Sequence, residues 1–324
     1  MVDWRADFAP YLFAHKISGM DAIQGSKRKA WIGAMRLRTL PLALACIMLG
    51  AFLAAAEGVG DGFVVLLCVV TAVLLQILSN LANDYGDSIH GADHGERMGP
   101  ARAVQSGVIS APEMKQAMII FALLAAFCGL ALVIAAFGLE SLPLVLLFLL
   151  LGAGAIWAAV NYTAGQKPYG YAGWGDFFVL VFFGWIGTLG TYFLQATSMN
   201  WLLLLPATMA GLLAVAVLNV NNIRDIESDK AAGKRSIPVR LGPERARIYH
   251  WLLLIMAVIL AFLYLFLHEA TAVQFLFVLG LPLLVRNGLL VWRTTDPVRI
   301  NPLLKQMVFA ALIFDFLFGL GQVL

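Results

Sequence analysis

Nine apolar runs, each close to the ~20 residues a helix needs to cross a bilayer, constrain this chain more than any other feature. They fall at about 40–56, 62–82, 116–137, 142–160, 177–196, 201–219, 250–267, 271–291 and 307–324. In lipid every backbone N–H and C=O must be satisfied within the protein, so runs of this length read as helices. The expected class is all-α, a polytopic membrane protein of about nine transmembrane helices. Of 324 residues 61% are apolar and 13% charged, against the roughly 25% charged residues of soluble domains. A net charge of +3 is too small for a nucleic-acid surface, so no nucleic-acid partner is expected. Cys46, Cys68 and Cys128 lie singly in apolar runs, which argues for packing rather than disulfides or a zinc site.

The loops fall into two unlike sets. The tail 1–39 and the segments near 83–115, 161–176, 220–249 and 292–306 hold 21 of the 22 Lys and Arg residues. The links Glu57–Asp61, Gly138–Leu142, Thr197–Asn200 and His268–Ala270 hold none. The positive-inside rule puts the basic loops and the N-terminus in the cytoplasm, and an odd span count puts the C-terminus outside. No cleavable signal is expected, because the basic residues of the first 38 are not followed by a separate short apolar core. Arg286 and Asp315 lie inside consecutive spans and are expected to pair or to snorkel.

Two acidic segments stand where even-numbered spans reach the basic face. The second span runs into Asn80-Leu-Ala-Asn83-Asp84-Tyr85-Gly86-Asp87, the sixth into Asn222-Ile-Arg224-Asp225-Ile-Glu-Ser-Asp229. On continued helices Asn80, Asp84 and Asp87 share a stripe, as do Asn222, Asp225 and Asp229. The recurrence four spans apart suggests two four-helix halves plus a ninth helix. Carboxylates gathered at one face repel unless a cation lies between them. Hard oxygen donors without a His or Cys set suit Mg2+, and Mg2+ commonly bridges carboxylates to phosphate oxygens. The bland alternative is a pair of solvated acidic helix ends. Lys234, Arg102, Arg36, Arg38 and the isolated Lys167, set in Gly165-Gln-Lys-Pro-Tyr169-Gly-Tyr171, are candidate diphosphate ligands. His90 and His94 are read as solvated or supporting residues.

At these motifs the chain resembles the UbiA superfamily of intramembrane prenyltransferases, and within it the branch acting on 1,4-dihydroxy-2-naphthoate. The resemblance is carried by Arg36–Pro41, Asn80–Asp93, Gly99–Arg102 with Gln105–Gly107, Lys167–Gly175 and Leu218–Gly242, and covers roughly residues 30–324. Residues 1–29 read as an extension and 30–324 as the prenyltransferase domain. The superfamily's third acid of the first motif is replaced by Gly91 here, with Asp93 nearby. The resemblance implies Mg2+ held by Asn80, Asn83, Asp84, Asp87, Asp225 and Asp229, with Asp93 and Asn222 as further candidates. It implies Lys167, Arg224, Lys234 and Arg102 on the diphosphate of an all-trans polyprenyl donor, whose tail lies between helices open sideways to lipid. Tyr171 would face the allylic cation. The ring would be alkylated at the carbon bearing the carboxylate, CO2 would leave, and a demethylmenaquinone would result. The implied site of action is the cytoplasmic face of a bacterial inner membrane.

Three other readings remain open on residues alone. A secondary transporter places its sites near the midplane, whereas these acids lie at span ends. A CDP-alcohol phosphotransferase also uses Asp-x-x-x-Asp, but its Asp-Gly…Ala-Arg segment is not evident. A third reading keeps the prenyl transfer with another quinone precursor, such as 4-hydroxybenzoate, as acceptor.

Overall fold

The computed structural model describes residues 26–90 and 102–324. Among them nine helices are long and apolar enough to cross a membrane. We number them α1 (Ser26–Ala56), α2 (Gly62–Ile89), α3 (Ala111–Phe137), α4 (Leu142–Asn161), α5 (Gly175–Ala196), α6 (Trp201–Arg224), α7 (Pro243–Leu267), α8 (Ala272–Arg293) and α9 (Pro297–Val323). The chain is an integral membrane protein. The nine-span expectation holds, and Gly91, Asp93, His94 and residues 1–25 lie outside the described residues.

The helices run past the apolar limits of their sequence windows. α2 continues through Asn80–Ile89, α9 starts ten residues before its apolar run, and residues 26–29 already belong to α1. Asp61 caps α2 by accepting from Phe63 and Val64 N–H, and Ser110 with Glu113 forms a capping box at α3. Such caps each stabilise a helix end by about 1 kcal/mol.

Lipid tails are as apolar as Leu, so helices associate here through close packing of small residues. α6 is the central helix: 61% of its apolar window is buried, against 11% for α4. Its inward stripe is Ala207, Ala210, Gly211 and Ala214, at i, i+3, i+4 and i+7. α5 is π-helical from Leu180 to Leu189 and crosses α6 glycine against glycine. A Cβ on Gly184 would stand 2.5 Å from Ala207 O and 2.9 Å from Gly211 Cα. α9 packs on α1, α6 and α8 and carries Phe314 and Phe318 into the main core with Phe277, so the ninth helix is a core element.

Arg286 and Asp315 do not pair. Arg286 is exposed, seven residues from the basic end of α8, while Asp315 is 1% exposed and eighteen residues into α9. At 1.5 Å per residue their depths differ by about 16 Å. Arg286 is within snorkelling reach of the basic face.

Candidate functional site

α2 and α6 deliver their polar ends side by side on the basic face. Gly86 lets α2 touch the loop after α4, since a Cβ there would run into the Thr163 backbone. Thr163 Oγ1 donates to Ala82 O and Asn83 Oδ1, both at 3.0 Å. On α6 the helix ends at Arg224, and Asp225 occupies the joint to a short helix, Ile226–Ala231. These anchors place Asp87, Asp225 and Asp229 at the mouth of one cavity of about 510 Å3 that runs between α1–α6.

Asp87 is the hub. It is 2% exposed, accepts from Arg102 Nη2, and takes a 3.1 Å hydrogen bond from Tyr171 Oη. Lys234 Nζ stands 2.9 Å from Asp87 Oδ1 and 3.4 Å from Asp229 Oδ1. Burial pushes the Asp229 carboxyl up to about 6; Lys234 opposes the shift, while Asp225 and Asp87 add to it. The same desolvation holds the Tyr162 and Tyr171 phenols well above the ordinary range. Among the described residues no three His, Cys, Asp or Glu form a ready-made metal cage. The Lys234 ammonium bridges Asp87 and Asp229 instead, so the acids already hold a cation between them. Asp87, Asp225, Asp229 and Asn222 all line this cavity, and their donors are all oxygen, the chemistry that suits a hard divalent ion.

The structure separates the residues singled out in the sequence. Asn80, Asn83, Asp87, Arg102, Asn222, Asp225, Asp229 and Lys234 line the cavity. Asp84, Lys167, Tyr171 and Arg224 do not. The stripe facing the cavity is therefore Asn80, Asn83 and Asp87. Asp84 turns the other way and accepts from Ala103 and Val104 N–H, each at 3.1 Å, pinning the segment that carries Arg102. Asn80 braces a bend in α1 by donating to Met35 O at 2.9 Å and Thr39 Oγ1 at 3.1 Å. Arg224 clamps Asp225 through Nε at 2.8 Å and Nη2 at 2.6 Å, and reaches Asn301 of α9 at 2.9 Å. Tyr171 has its ring covered by Lys234 Nζ, 4.9 Å from the centroid, which leaves that face unavailable to a substrate cation. Lys167 is exposed at the tip of a turn that Tyr169 N–H and Gly170 N–H fasten back to Asn161 O and Tyr162 O.

Two variants separate these roles. Lys167→Ala is expected to retain activity within threefold, an exposed side chain away from the cavity having little to lose. Asp84→Asn leaves one of two buried amides facing an amide NH2, a defect of about 1–3 kcal/mol. It is expected to lower thermal stability and weaken Arg102-dependent binding, while leaving the Mg2+ half-saturation within threefold. A large Mg2+ effect would return Asp84 to the metal set.

Sequence reasoning passed over Tyr162 and Ser236. Tyr162 lines the cavity beside the acids and begins a ring series: Tyr169 lies 5.4 Å away, and Phe178 stacks on Tyr169 at 4.0 Å. Ser236 is 7% exposed in the same wall, its Oγ without a hydrogen-bond partner. The only sequence signal for it was adjacency to Lys234. Arg36 has φ 47°, a left-handed conformation that is strained for a side-chain-bearing residue. This breaks α1 and turns Arg36 toward both the main cavity and a smaller one. The smaller cavity, about 200 Å3, is lined by Lys29, Arg36, Arg38, Arg102 and Arg224 with Asp84.

A deep apolar cavity under a buried mouth of acids and cations defines an intramembrane enzyme-like site rather than a midplane transport site. Residues 43–313 match the profile of the UbiA prenyltransferase family, and the chain belongs to that family. A 1,4-dihydroxy-2-naphthoate octaprenyltransferase of Escherichia coli (strain K12) is 48% identical over 298 residues, spanning 92% of this chain and 96% of that protein. The apo structure of a UbiA homolog from Aeropyrum pernix K1 aligns with a TM-score of 0.65 at 17% identity, over 88% of this chain and 97% of that one. A UbiA homolog from Archaeoglobus fulgidus bound to GPP and Mg2+ aligns at 0.58 and 19% identity, over 89% and 99%. At those identities the two structures speak to the fold.

Proposed function

We propose that this protein transfers an all-trans polyprenyl group from its diphosphate to 1,4-dihydroxy-2-naphthoate, with loss of diphosphate and CO2. The carrying observation is the cavity itself, whose acidic and cationic mouth takes a diphosphate and whose apolar depth takes the tail. The E. coli relative's activity, as its name gives it, supports the choice of acceptor. Asp87, Asp225, Asp229 and Asn222 would hold Mg2+. Bound there, Mg2+ supplies positive charge to the diphosphate oxygens, so that the allylic C–O bond ionises more readily. Arg102 and Lys234 hold diphosphate oxygens, turning from Asp87 and Asp229 toward the leaving group. Tyr162 and Tyr169 wall the reacting carbon and exclude water from it.

The smaller cavity suits the acceptor: its cationic walls match an aromatic carboxylate, and it shares Arg36, Thr39 and Arg102 with the donor cavity. The new C–C bond forms at the ring carbon bearing the carboxylate. The C–CO2 bond electrons return to the ring, and the C–O pair leaves with diphosphate. No oxidant is needed, so the immediate product is a prenylated naphthohydroquinone, and the quinone expected from the sequence is its two-electron-oxidised form. The basic loops point to a cytoplasmic active site, N-terminus inside and C-terminus outside.

The test is release of labelled CO2 from carboxyl-labelled dihydroxynaphthoate during Mg2+-dependent coupling. Coupling with full retention of label, or coupling to 4-hydroxybenzoate alone, would overturn the assignment. pH supplies a second check. With the Asp229 carboxyl near 6, a proton competes with the metal below that value, and apparent Mg2+ affinity is expected to fall about tenfold per unit below pH 6. The stability linkage has the opposite sign. The folded carboxyl binds its proton more tightly than the unfolded one, so this group's contribution falls as pH rises from about 4 to 6. Metal titrations at pH 5, 6 and 7 check the first effect, and metal-free melting curves the second.

A further inference from the structure

Among the described residues five buried side-chain atoms have no hydrogen-bond partner, and two of them, Thr71 Oγ1 and Ser236 Oγ, belong to residues that line the main cavity. They stand at different depths. Thr71 precedes Asp87 by sixteen residues on α2, about 24 Å along the helix at 1.5 Å per residue. Ser236 is at the mouth, two residues beyond Lys234. A buried hydroxyl left unbonded costs folding free energy, and each such group in a native structure calls for an explanation.

The backbone around Ser236 is fixed on both sides. Lys234 N–H donates to Asp229 O at 2.8 Å, Arg235 N–H to Tyr171 O at 2.9 Å, and Arg240 N–H back to Ser236 O at 3.1 Å. Gly173, at φ 86°, lets the loop after α4 come this close, since a Cβ there would stand 2.3 Å from Arg235 O. Lys234 and Ser236 line the cavity while the exposed Arg235 between them does not, the alternation of an extended chain. Ser236 directly precedes the short helix Ile237–Leu241, a position where serine commonly accepts from a backbone N–H of the first turn. Its side chain makes no such bond. The hydroxyl is therefore held in the same wall as Lys234, 7% exposed, with nothing in the protein to bond.

We propose that Ser236 is a binding and catalytic residue for the prenyl donor, its O–H donating a hydrogen bond to a diphosphate oxygen. The hydroxyl keeps its proton, and no covalent bond forms or breaks at it. As the allylic C–O bond ionises, the departing diphosphate gains negative charge, and a donor already fixed by its backbone bonds strengthens with it. This rests on the donor reading above and deepens it, adding a neutral, directional hydroxyl to the charged contacts of Arg102 and Lys234.

The probe is inorganic pyrophosphate with Mg2+, which carries the diphosphate chemistry without a tail. Its binding is read twice, as inhibition of prenyl transfer and as a rise in melting temperature of the purified protein. Ser236→Ala is expected to weaken pyrophosphate about tenfold or more and to lower kcat as well. Without ligand it is expected to melt no earlier than the wild type, because the atom removed made no bond. Ser236→Thr keeps the hydroxyl and is expected to stay within about threefold of wild type in pyrophosphate binding. Thr71→Val removes the other unbonded hydroxyl of the cavity wall, far from the mouth, and is expected to leave pyrophosphate binding unchanged. Unaltered pyrophosphate binding in Ser236→Ala would overturn the proposal, as would an equal loss in Thr71→Val. So would a Ser236→Ala protein that melts earlier without ligand, since the side chain would then be a structural one. A wild type that pyrophosphate with Mg2+ neither inhibits nor stabilises would sink the donor reading itself, and this proposal with it.

Discussion

Asp87→Asn is expected to lower kcat/KM by a thousandfold or more, the upper part of the range for losing one preorganised electrostatic group. The side chain keeps its volume and one oxygen, so the loss is one of charge. Asp87 binds Arg102, Lys234 and Tyr171 at once. With the carboxylate gone, Arg102 and Lys234 both lose a buried anionic partner, while Asp229 still faces Lys234. Breaking a buried pair in this way costs about 3–5 kcal/mol, so the variant is also expected to melt earlier without Mg2+. Single-turnover rates across a Mg2+ titration, with melting curves alongside, separate the two effects. Activity within tenfold of wild type at saturating Mg2+ would remove Asp87 from the centre of the site.

Arg224→Ala is expected to raise the Mg2+ half-saturation a hundredfold or more while changing the prenyl diphosphate KM far less. Arg224 does not reach the donor cavity. Its fork meets both oxygens of Asp225, orienting that carboxylate although it is 5% exposed. Without the guanidinium, the carboxylate loses the two donors that fix its direction, and an unoriented carboxylate is a poorer ligand. Arg224→Lys supplies a point charge but not two parallel donors and is expected to recover under a tenth of the loss. Asn301→Ala, which frees only Nη1, is expected to cost tenfold or less. Mn2+ binding followed by electron paramagnetic resonance gives a readout independent of turnover. If instead the donor KM rises and metal binding is unchanged, Arg224 contacts the diphosphate directly, as the sequence suggested.

The limits of the sequence reading show at particular residues. Asn80, Asp84 and Asp87 share a stripe on an ideal helix, yet a turn of a few tens of degrees decides that Asn83 faces the cavity and Asp84 faces the Ala103 amide. Lys167 stood out for its isolation in a loop of Gly, Pro and Tyr. That same Gly–Pro turn carries it away from the acids and leaves Tyr162 and Tyr169 against the cavity. Arg286 and Asp315 lie on consecutive antiparallel helices, but on such a pair proximity depends on depth, and theirs differ by about 16 Å.

Length and hydropathy determined the helical class, the span count and the face bearing the basic loops, because a bilayer permits so few alternatives to a satisfied helix. The residue types at the ends of α2 and α6 determined the chemistry class, since gathered carboxylates require a cation. Tertiary structure alone decided which carboxylates share that cation and which arginine orients an acid rather than a substrate. Those outcomes depend on helix rotation, on a left-handed break at Arg36 and on the glycine contacts that set how closely α5 and α6 approach, none of which a one-dimensional pattern records.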